Sequence, residues 1–211
     1  MTAASNEAEQ ALRHVDRGVA RRHAFLVAAR EVFLEQGYEE ASVNEVVRRA
    51  GGSLATLYAQ FGNKEGLFLA VAQDQHERFV AAMTPDCVDH MSLEEGLRAI
   101  GERYVHALLA RDNIAFFRII VGEGRKFPQL LQRHIAAGSD KIRAVVANFL
   151  KASAPGIDAE ASAPYFLDVL RSRHHYRALA DESYGLSQAE IETHVRAGVG
   201  FFLNGALPRS K

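Results

Sequence analysis

Residues 42–61 read SVNEVVRRAGGSLATLYAQF, and this stretch decides the fold of the chain. Ser42 is followed three residues later by a glutamate, the spacing of a capping box at the start of a helix. The pair Gly51-Gly52 ends this short helix, since the first glycine suits a left-handed position that side chains disfavour. Ser53 then caps a second short helix with apolar residues at helical spacing. Two short helices joined by a tight turn predict a helix-turn-helix.

Helices are also predicted on both sides of this motif. Residues 17–36 carry apolar side chains at helical spacing and form a first helix, while residues 1–16 are interpreted as a loose N-terminal arm or the fraying start of a helix. After the motif, Asn63 caps a longer helix that begins at Lys64 and must end before Pro85. This helix is predicted to connect the helix-turn-helix to the rest of the chain.

The anchors of this region resemble one family. They are Ala50-Gly51-Gly52-Ser53, Thr56-Leu57-Tyr58, Phe61, Lys64-Glu65 and Leu67, preceded by an apolar helix that ends at Gly37-Tyr38. Together they resemble the N-terminal DNA-binding domain of TetR/AcrR-type transcriptional regulators, over about residues 20–72. The chain departs from the family pattern at Gly52, where the family usually has a β-branched apolar residue.

A DNA-contacting surface follows from this resemblance and from the outer face of the second short helix. A recognition helix presents short side chains to base edges, while flanking groups hold phosphates. The resemblance implies that Tyr58 and Lys64 contact phosphates and that Thr56 faces DNA. The full predicted set is Ser42, Ser53, Leu54, Ala55, Thr56, Tyr58, Gln60 and Lys64. The alternative is that these residues only pack and cap a small helical domain.

The remaining residues, 85–211, read as helices throughout. Ser92 and Ser187 each open a capping box, and Pro128 and Pro164 are placed to start helices. Asp112-Asn113 is predicted to cap a nearly all-apolar helix from Ile114 to about Glu123. The stretch FRIIVGEGRKFPQLLQRH, within residues 114–150, resembles the C-terminal domain of AefR-like members of the family. In that family the last two helices of two subunits form the dimer interface.

Aromatic and basic side chains in this second part predict a ligand cavity. The candidate ligand-binding residues are Tyr104, Phe117, Arg118, His134, Tyr165 and His174. Arg118 is notable because an arginine within an apolar helix must pair, extend to solvent or meet an anion. The alternative is that most of these side chains belong to an ordinary core.

Composition and motif content limit the classes of function that the chain can have. The net charge is −1, and basic residues outnumber acidic ones by only two between Arg17 and Lys64, so charge alone does not indicate DNA binding. No GxSxG, P-loop, dinucleotide-binding or HExxH motif occurs, which argues against an enzyme. The single cysteine, Cys87, excludes an internal disulfide, and the nine histidines show no metal-ligand spacing. No signal peptide or membrane span is legible, so a cytoplasmic protein is expected.

The sequence therefore predicts an all-α homodimer without a cofactor or a metal. A helix-turn-helix DNA-binding domain covers residues 17–64, a connector helix covers residues 64–83, and a helical ligand-binding and dimerisation domain covers residues 85–211. The predicted function is a transcriptional regulator, a repressor released from a palindromic operator by a small-molecule effector. The alternatives are an activator or a ligand-independent regulator of the same fold, or a helical enzyme or metal protein with an incidental helix-turn-helix.

Overall fold

The computed structural model describes the backbone of residues 3–83, 90–124 and 128–206, with side chains in those ranges except at 3–16, 129–131, 133–139 and 206. These residues form nine α-helices and no strand. The helices are α1 (Ala3–Gln36), α2 (Val43–Ala50), α3 (Leu54–Phe61), α4 (Lys64–Met83), α5 (Leu93–Leu109), α6 (Arg111–Glu123), α7 (Pro128–Ser153), α8 (Ala159–Ala180) and α9 (Gln188–Ala206). The predicted all-α fold is confirmed. Among the described residues, no helix is long and apolar enough to cross a membrane.

The chain divides into two compact units, Met1–Asp74 and Gln75–Lys211. The first unit has an aromatic core. Phe25 on α1 meets Phe61 on α3 edge to face, with 6.3 Å between ring centroids, and Phe33 meets Phe68 of α4 at 4.9 Å. All four rings are buried. Helices as short as α2 and α3 are not stable alone in water, so burial against α1 is what holds them.

In the second unit, α5 packs against α7, α8 and α9. Two glycines permit close approach of these helices. A Cβ at Gly101 of α5 would stand 2.8 Å from Val195 and 2.9 Å from Leu170, and one at Gly198 of α9 would stand 2.6 Å from Leu170. Such distances leave no room for a methyl group, so glycine at these positions sets the spacing of α5, α8 and α9.

Several predicted helix ends are confirmed. At Ser92, the side chain accepts a hydrogen bond from the Glu95 N–H at 3.3 Å, and the glutamate reaches back to the Ser92 N–H at 3.0 Å. Ser187 and Glu190 form the same reciprocal pair. Cys87, like the rest of residues 84–89, lies outside the described residues.

The starts of α1 and α6 differ from the prediction. α1 begins at Ala3 instead of residue 17, so of the two alternatives for the N-terminal segment the helix start agrees with the structure; residues 3–16 are rich in alanine and glutamate, which favour helix. The predicted cap by Asp112-Asn113 is wrong, since α6 already begins at Arg111 without a side-chain cap. The amide of Asn113 instead donates to the Ala107 carbonyl of α5 at 2.5 Å.

α8 also differs from the prediction at its start and in its course. It begins at Ala159, where the Asp158 carboxylate accepts a hydrogen bond from the Ala161 N–H at 3.1 Å, so Pro164 lies inside the helix and does not open it. Further along, Ser172 is non-helical, with φ 32° and ψ −144°. A positive φ is uncommon for a residue with a Cβ. The kink therefore separates Arg171 from the last turns of α8.

Candidate DNA-binding surface and ligand cavity

Two glycines with positive φ make the turn between α2 and α3. Gly51 has φ 71° and Gly52 has φ 102°, a backbone region that residues with a Cβ rarely adopt. A Cβ on Gly52 would also stand 3.1 Å from the Phe25 ring. The Arg21 Nη1 donates to the Ala50 carbonyl at 3.1 Å, which satisfies one of the last carbonyls of α2. The residue at which the sequence departs from the family pattern is thus one whose conformation favours glycine.

Serine side chains cap both short helices. The Ser42 Oγ accepts a hydrogen bond from the Glu45 backbone N–H at 3.4 Å, and the Ser53 Oγ accepts one from the Thr56 N–H at 3.1 Å. The predicted capping box at Ser42 is only half formed, because the Glu45 carboxylate binds two arginines of α2. The Ser42 N–H donates instead to the side-chain oxygen of Gln36 at 3.2 Å.

Arg49 of α2 forms ion pairs with three glutamates, two of them on α1, and so links the two helices. Its guanidinium nitrogens are 2.6 Å from Glu35, 2.7 Å from Glu45 and 3.7 Å from Glu31. Hydrogen bonds from Arg48 and Arg49 lower the pKa of Glu45 to about 2, and the hydrogen bond from Arg49 lowers the pKa of Glu35. Arg49 therefore holds α2 against α1. The Arg48 side chain, in contrast, is 72% exposed and pairs with Glu45 of its own helix.

One face of α3 is buried and the other is open to solvent. Leu57 and Phe61 point into the core of the first unit, as the helical period predicted. Tyr58, at the edge of this buried face, is 44% exposed. Seven of the predicted DNA-contacting residues are exposed: Ser42, Ser53, Leu54, Ala55, Thr56, Tyr58 and Gln60. Small polar side chains at a helix N-terminus, followed by tyrosine and glutamine, suit base edges and phosphates in a major groove.

The eighth predicted contact, Lys64, is the first residue of α4 and is half-buried. Its Nζ donates to the Glu39 carbonyl at 2.7 Å and lies 5.1 Å from the centroid of the Tyr38 ring. An ammonium carries three N–H donors, so this bond leaves two for a phosphate. Beside it, the Asn63 side chain accepts a hydrogen bond from the Gly66 N–H at 2.8 Å, which confirms the predicted cap of α4.

A cavity of about 390 Å³ lies within the second unit. It is within the size range of small-molecule sites, which are mainly apolar with a few polar groups. Its lining comes from α4 (Gln75, His76, Phe79), α5 (Tyr104, Leu108), α6 (Asn113, Phe116, Phe117), α7 (Ile142, Arg143) and α8 (Pro164, Leu167, Asp168, Arg171, His175).

Only part of the polar lining is hydrogen-bonded. The Arg171 Nε donates to the Tyr104 hydroxyl at 3.3 Å, and the Gln75 amide donates to Asn113. The Gln75 Oε1 and the His76 Nε2 are buried and have no hydrogen-bond partner among the described residues. Buried polar atoms without partners are uncommon in folded proteins, so these two indicate a place for a ligand or for water.

The two cavity histidines are neutral at pH 7. Burial, and then the positive charge of Lys141, lower the pKa of His76. Burial, and then the charge of Arg171, lower the pKa of His175 to about 4. Burial also raises the pKa of the Tyr104 hydroxyl. Two aromatic pairs border the site, Phe79 with Tyr104 and Phe117 with His175, both edge to face.

The predicted ligand-binding residues do not all lie in this cavity. Tyr104 and Phe117 line it. Tyr165 is 70% exposed and lies outside the lining. His174 also lies outside it, since its ring stacks on Tyr184 and its Nδ1 is 2.5 Å from that hydroxyl. The side chain of His134 lies outside the described residues.

Arg118 is also outside the cavity lining, and its partners explain why. Its guanidinium donates to the carbonyls of Ala178 at 2.7 Å and Leu179 at 2.9 Å, and it pairs with Glu182 at 2.9 Å. These carbonyls belong to the last turn of α8, which needs hydrogen-bond donors. The need for a partner was predicted correctly, but that partner is a helix end of the same chain.

Sequence reasoning missed Gln75, His76, Arg171 and His175 as cavity residues. A signal was present on α4, where Gln75 and His76 precede Phe79 by four and three residues and so share its face. The prediction treats the whole segment as a connector and therefore assigns no ligand contact to this face. In the described parts of the chain, no group of three potential ligands converges on a metal site.

Two family matches cover most of the chain. Residues 25–71 match the bacterial regulatory proteins of the tetR family. Residues 95–205, more than half of the chain, match the C-terminal domain of AefR-like transcriptional repressors.

Curated relatives match in sequence over shorter stretches. The HTH-type transcriptional repressor ComR of Escherichia coli is 45% identical over 60 residues, 28% of this chain and 29% of ComR. The HTH-type transcriptional activator FasR of Mycolicibacterium smegmatis is 36% identical over 84 residues, 40% of this chain and 38% of FasR. The chain thus spans about a third of the length of these relatives.

Solved structures match over most of their length. The flavonoid-responsive regulator FrrA is 30% identical, with a TM-score of 0.75, covering 90% of this chain and 98% of that one. A TetR-family regulator from Mesorhizobium loti is 25% identical, with a TM-score of 0.79 and the same coverage. With the helix-turn-helix and the C-terminal helices both matched, the chain belongs to the TetR family of bacterial regulatory proteins, with a C-terminal domain of the AefR-like type.

Proposed function

We propose that this protein is a DNA-binding transcriptional regulator that recognises a near-palindromic operator as a homodimer. The observation that carries the proposal is the exposed face of α3, with its N-terminus capped by Ser53 and Tyr58 open to solvent. Helix N-termini and short polar side chains of this kind bind phosphates and base edges. Its partner is double-stranded DNA, and its place is the bacterial cytoplasm, where the chromosome lies.

Repression by operator occupancy is the primary form of the proposal. The names of ComR, a repressor, and of the AefR-like repressor domain support it. Activation is the second candidate, because FasR, which is 36% identical over 84 residues, is named an activator. A reporter fused to the regulated promoter separates the two, since deletion of the gene raises output under repression and lowers it under activation.

The dimer is proposed to form through α8 and α9. Large apolar side chains on these helices are exposed in the single chain, at Tyr165 and Tyr176 on α8 and Phe201 on α9. Exposed apolar groups of this size favour a protein interface. Two-fold symmetry then places two copies of α3 about one turn of DNA apart, roughly 34–36 Å.

The cavity is proposed as the site of a small-molecule effector. Its volume and the two polar atoms that lack a partner in the described part of the chain support this role, as does the name of the flavonoid-responsive FrrA. The effector binds more tightly to a conformation in which the two helix-turn-helix domains are misplaced for the operator. It therefore shifts the protein population away from the DNA-bound conformation. α4 is the proposed connection, because it carries Lys64 at its first residue and Gln75 and His76 in its second half.

The test is the affinity of the purified protein for DNA upstream of its own gene and for random duplex, measured by fluorescence anisotropy. We expect Tyr58→Ala to weaken specific binding at least tenfold. Met91→Ala, a comparably exposed side chain of the second unit, is expected to leave it unchanged. Equal effects of the two substitutions would contradict α3 as the recognition surface.

A further inference from the structure

The orientation of the Gln75 amide in the cavity is fixed by its neighbours. The Ala107 carbonyl can only accept a hydrogen bond, so the Asn113 amide nitrogen must face it, at 2.5 Å. The Asn113 oxygen therefore faces Gln75, whose Nε2 donates to it. The atom of Gln75 left over is Oε1, which is buried and has no partner among the described residues. Gln75 lines the cavity, so an occupant that hydrogen-bonds to this atom has to bring a donor.

The neighbouring residue, His76, offers a second unpaired atom. Its Nε2 is buried without a hydrogen-bond partner among the described residues, and the whole side chain is only 7% exposed. Burial lowers the pKa of His76, so the imidazole is neutral at pH 7. Depending on the tautomer, its Nε2 donates or accepts. A hydroxyl group both donates and accepts, whereas a carboxylate cannot donate to the Gln75 Oε1.

Four aromatic side chains of the lining suit a flat, aromatic molecule, beside the charged side chains of Arg143, Asp168 and Arg171. Phe79, Phe116 and Phe117 come from α4 and α6, and Tyr104 faces Phe79 from α5 at 6.0 Å between ring centroids. Aromatic rings prefer such edge-to-face and offset contacts. A cavity of about 390 Å³ has room for two or three fused or linked rings.

We propose that the cavity binds a hydroxylated aromatic compound whose hydroxyl groups hydrogen-bond to the Gln75 Oε1 and the His76 Nε2. The proposal deepens the proposed effector role and rests on it for its consequence at DNA, but the binding itself does not require that role. Recognition by α4 places the polar contacts of the ligand on the helix that begins at Lys64.

The test uses the isomeric monohydroxyflavones, each compared with its own methyl ether, in calorimetric titrations of the full-length protein. Methylation keeps the ring system and the oxygen but removes the donor. At least one isomer is expected to bind about tenfold more tightly than its ether, because the ether leaves a buried acceptor unpaired. In Gln75→Met, whose side chain has a similar shape, the ratio of the affinity for the hydroxyflavone to that for its ether is expected to fall to about one.

Two further variants control for simple disturbance of the fold. His76→Phe keeps a ring and is expected to weaken the monohydroxyflavone several-fold, while the methyl ether changes little. Met91→Ala, outside the cavity, is expected to keep both the affinity and the preference. The measured quantity is a ratio of affinities, so a general loss of stability, which affects both ligands alike, does not imitate the expected result.

Three outcomes would overturn the proposal. One is equal affinity for each hydroxyflavone and its ether, another is the absence of binding by every flavone, and the third is tighter binding of a naphthoate than of any hydroxyflavone. The effect on DNA is measured separately. A hydroxyflavone that binds with the expected preference but leaves operator affinity unchanged supports the ligand assignment and refutes effector-controlled release.

Discussion

Replacement of Gly52 by alanine tests the geometry of the turn that presents α3. Its φ of 102° is one that a Cβ disfavours, at a cost of about 1–2 kcal/mol. The added Cβ would also stand 3.1 Å from the Phe25 ring, which is fully buried and has little room to move. Together these effects lower the free energy of unfolding by about 2 kcal/mol, and the β-branched Gly52→Val costs more.

The measurement is urea denaturation followed by far-UV circular dichroism at one fixed protein concentration. The matched control is Gly18→Ala, since a Cβ there meets no atom of the described residues within 4 Å and α1 gains from a better helix former. We expect this control to be neutral or slightly more stable than the wild type. If Gly52→Ala and Gly52→Val were as stable as the wild type, residue 52 would adopt a negative φ and the described turn would be refuted.

Two other predictions concern the second unit. Burial, and then Arg171, lower the pKa of His175 to about 4, so between pH 6.5 and 4 the unfolded chain binds a proton that the folded chain does not. Stability should therefore fall as the pH drops through this window, by at most about 3 kcal/mol from this residue; an equally steep loss in His175→Phe would contradict this origin. Gly96→Ala would place a Cβ 2.0 Å from the Phe149 ring and should cost about 1–3 kcal/mol in thermal unfolding. Gly122→Ala, whose Cβ would meet no atom of the described ranges within 4 Å, should cost little.

Local signals in the sequence determined much of the helical framework. The caps at Asn63, Ser92 and Ser187 involve residues only three apart, so the pattern of residue types was sufficient to predict them. The buried face of α3, with Leu57 and Phe61, followed in the same way from the helical period. Where the structural cause is local, the prediction from sequence and the structure agree.

The cavity could not be predicted in the same way, because it depends on contacts between distant parts of the chain. Arg118 and the carbonyl of Ala178 are 60 residues apart in sequence, and nothing near Arg118 indicates that pairing. The Asn113 amide, interpreted as a helix cap, bonds to Ala107 and Gln75 instead. The kink at Ser172 likewise has no sequence signal that we can identify.

The most direct test of DNA recognition is a titration of operator and random duplex across salt concentrations, for the wild type and for Lys64→Ala. We expect the operator to bind at least a thousandfold more tightly than random duplex, and Lys64→Ala to reduce the salt slope by about one. Lys151→Ala, an exposed lysine of α7, should change neither quantity. Equally weak binding to both duplexes, with the same salt slope for all three proteins, would contradict a sequence-specific DNA-binding role for the helix-turn-helix.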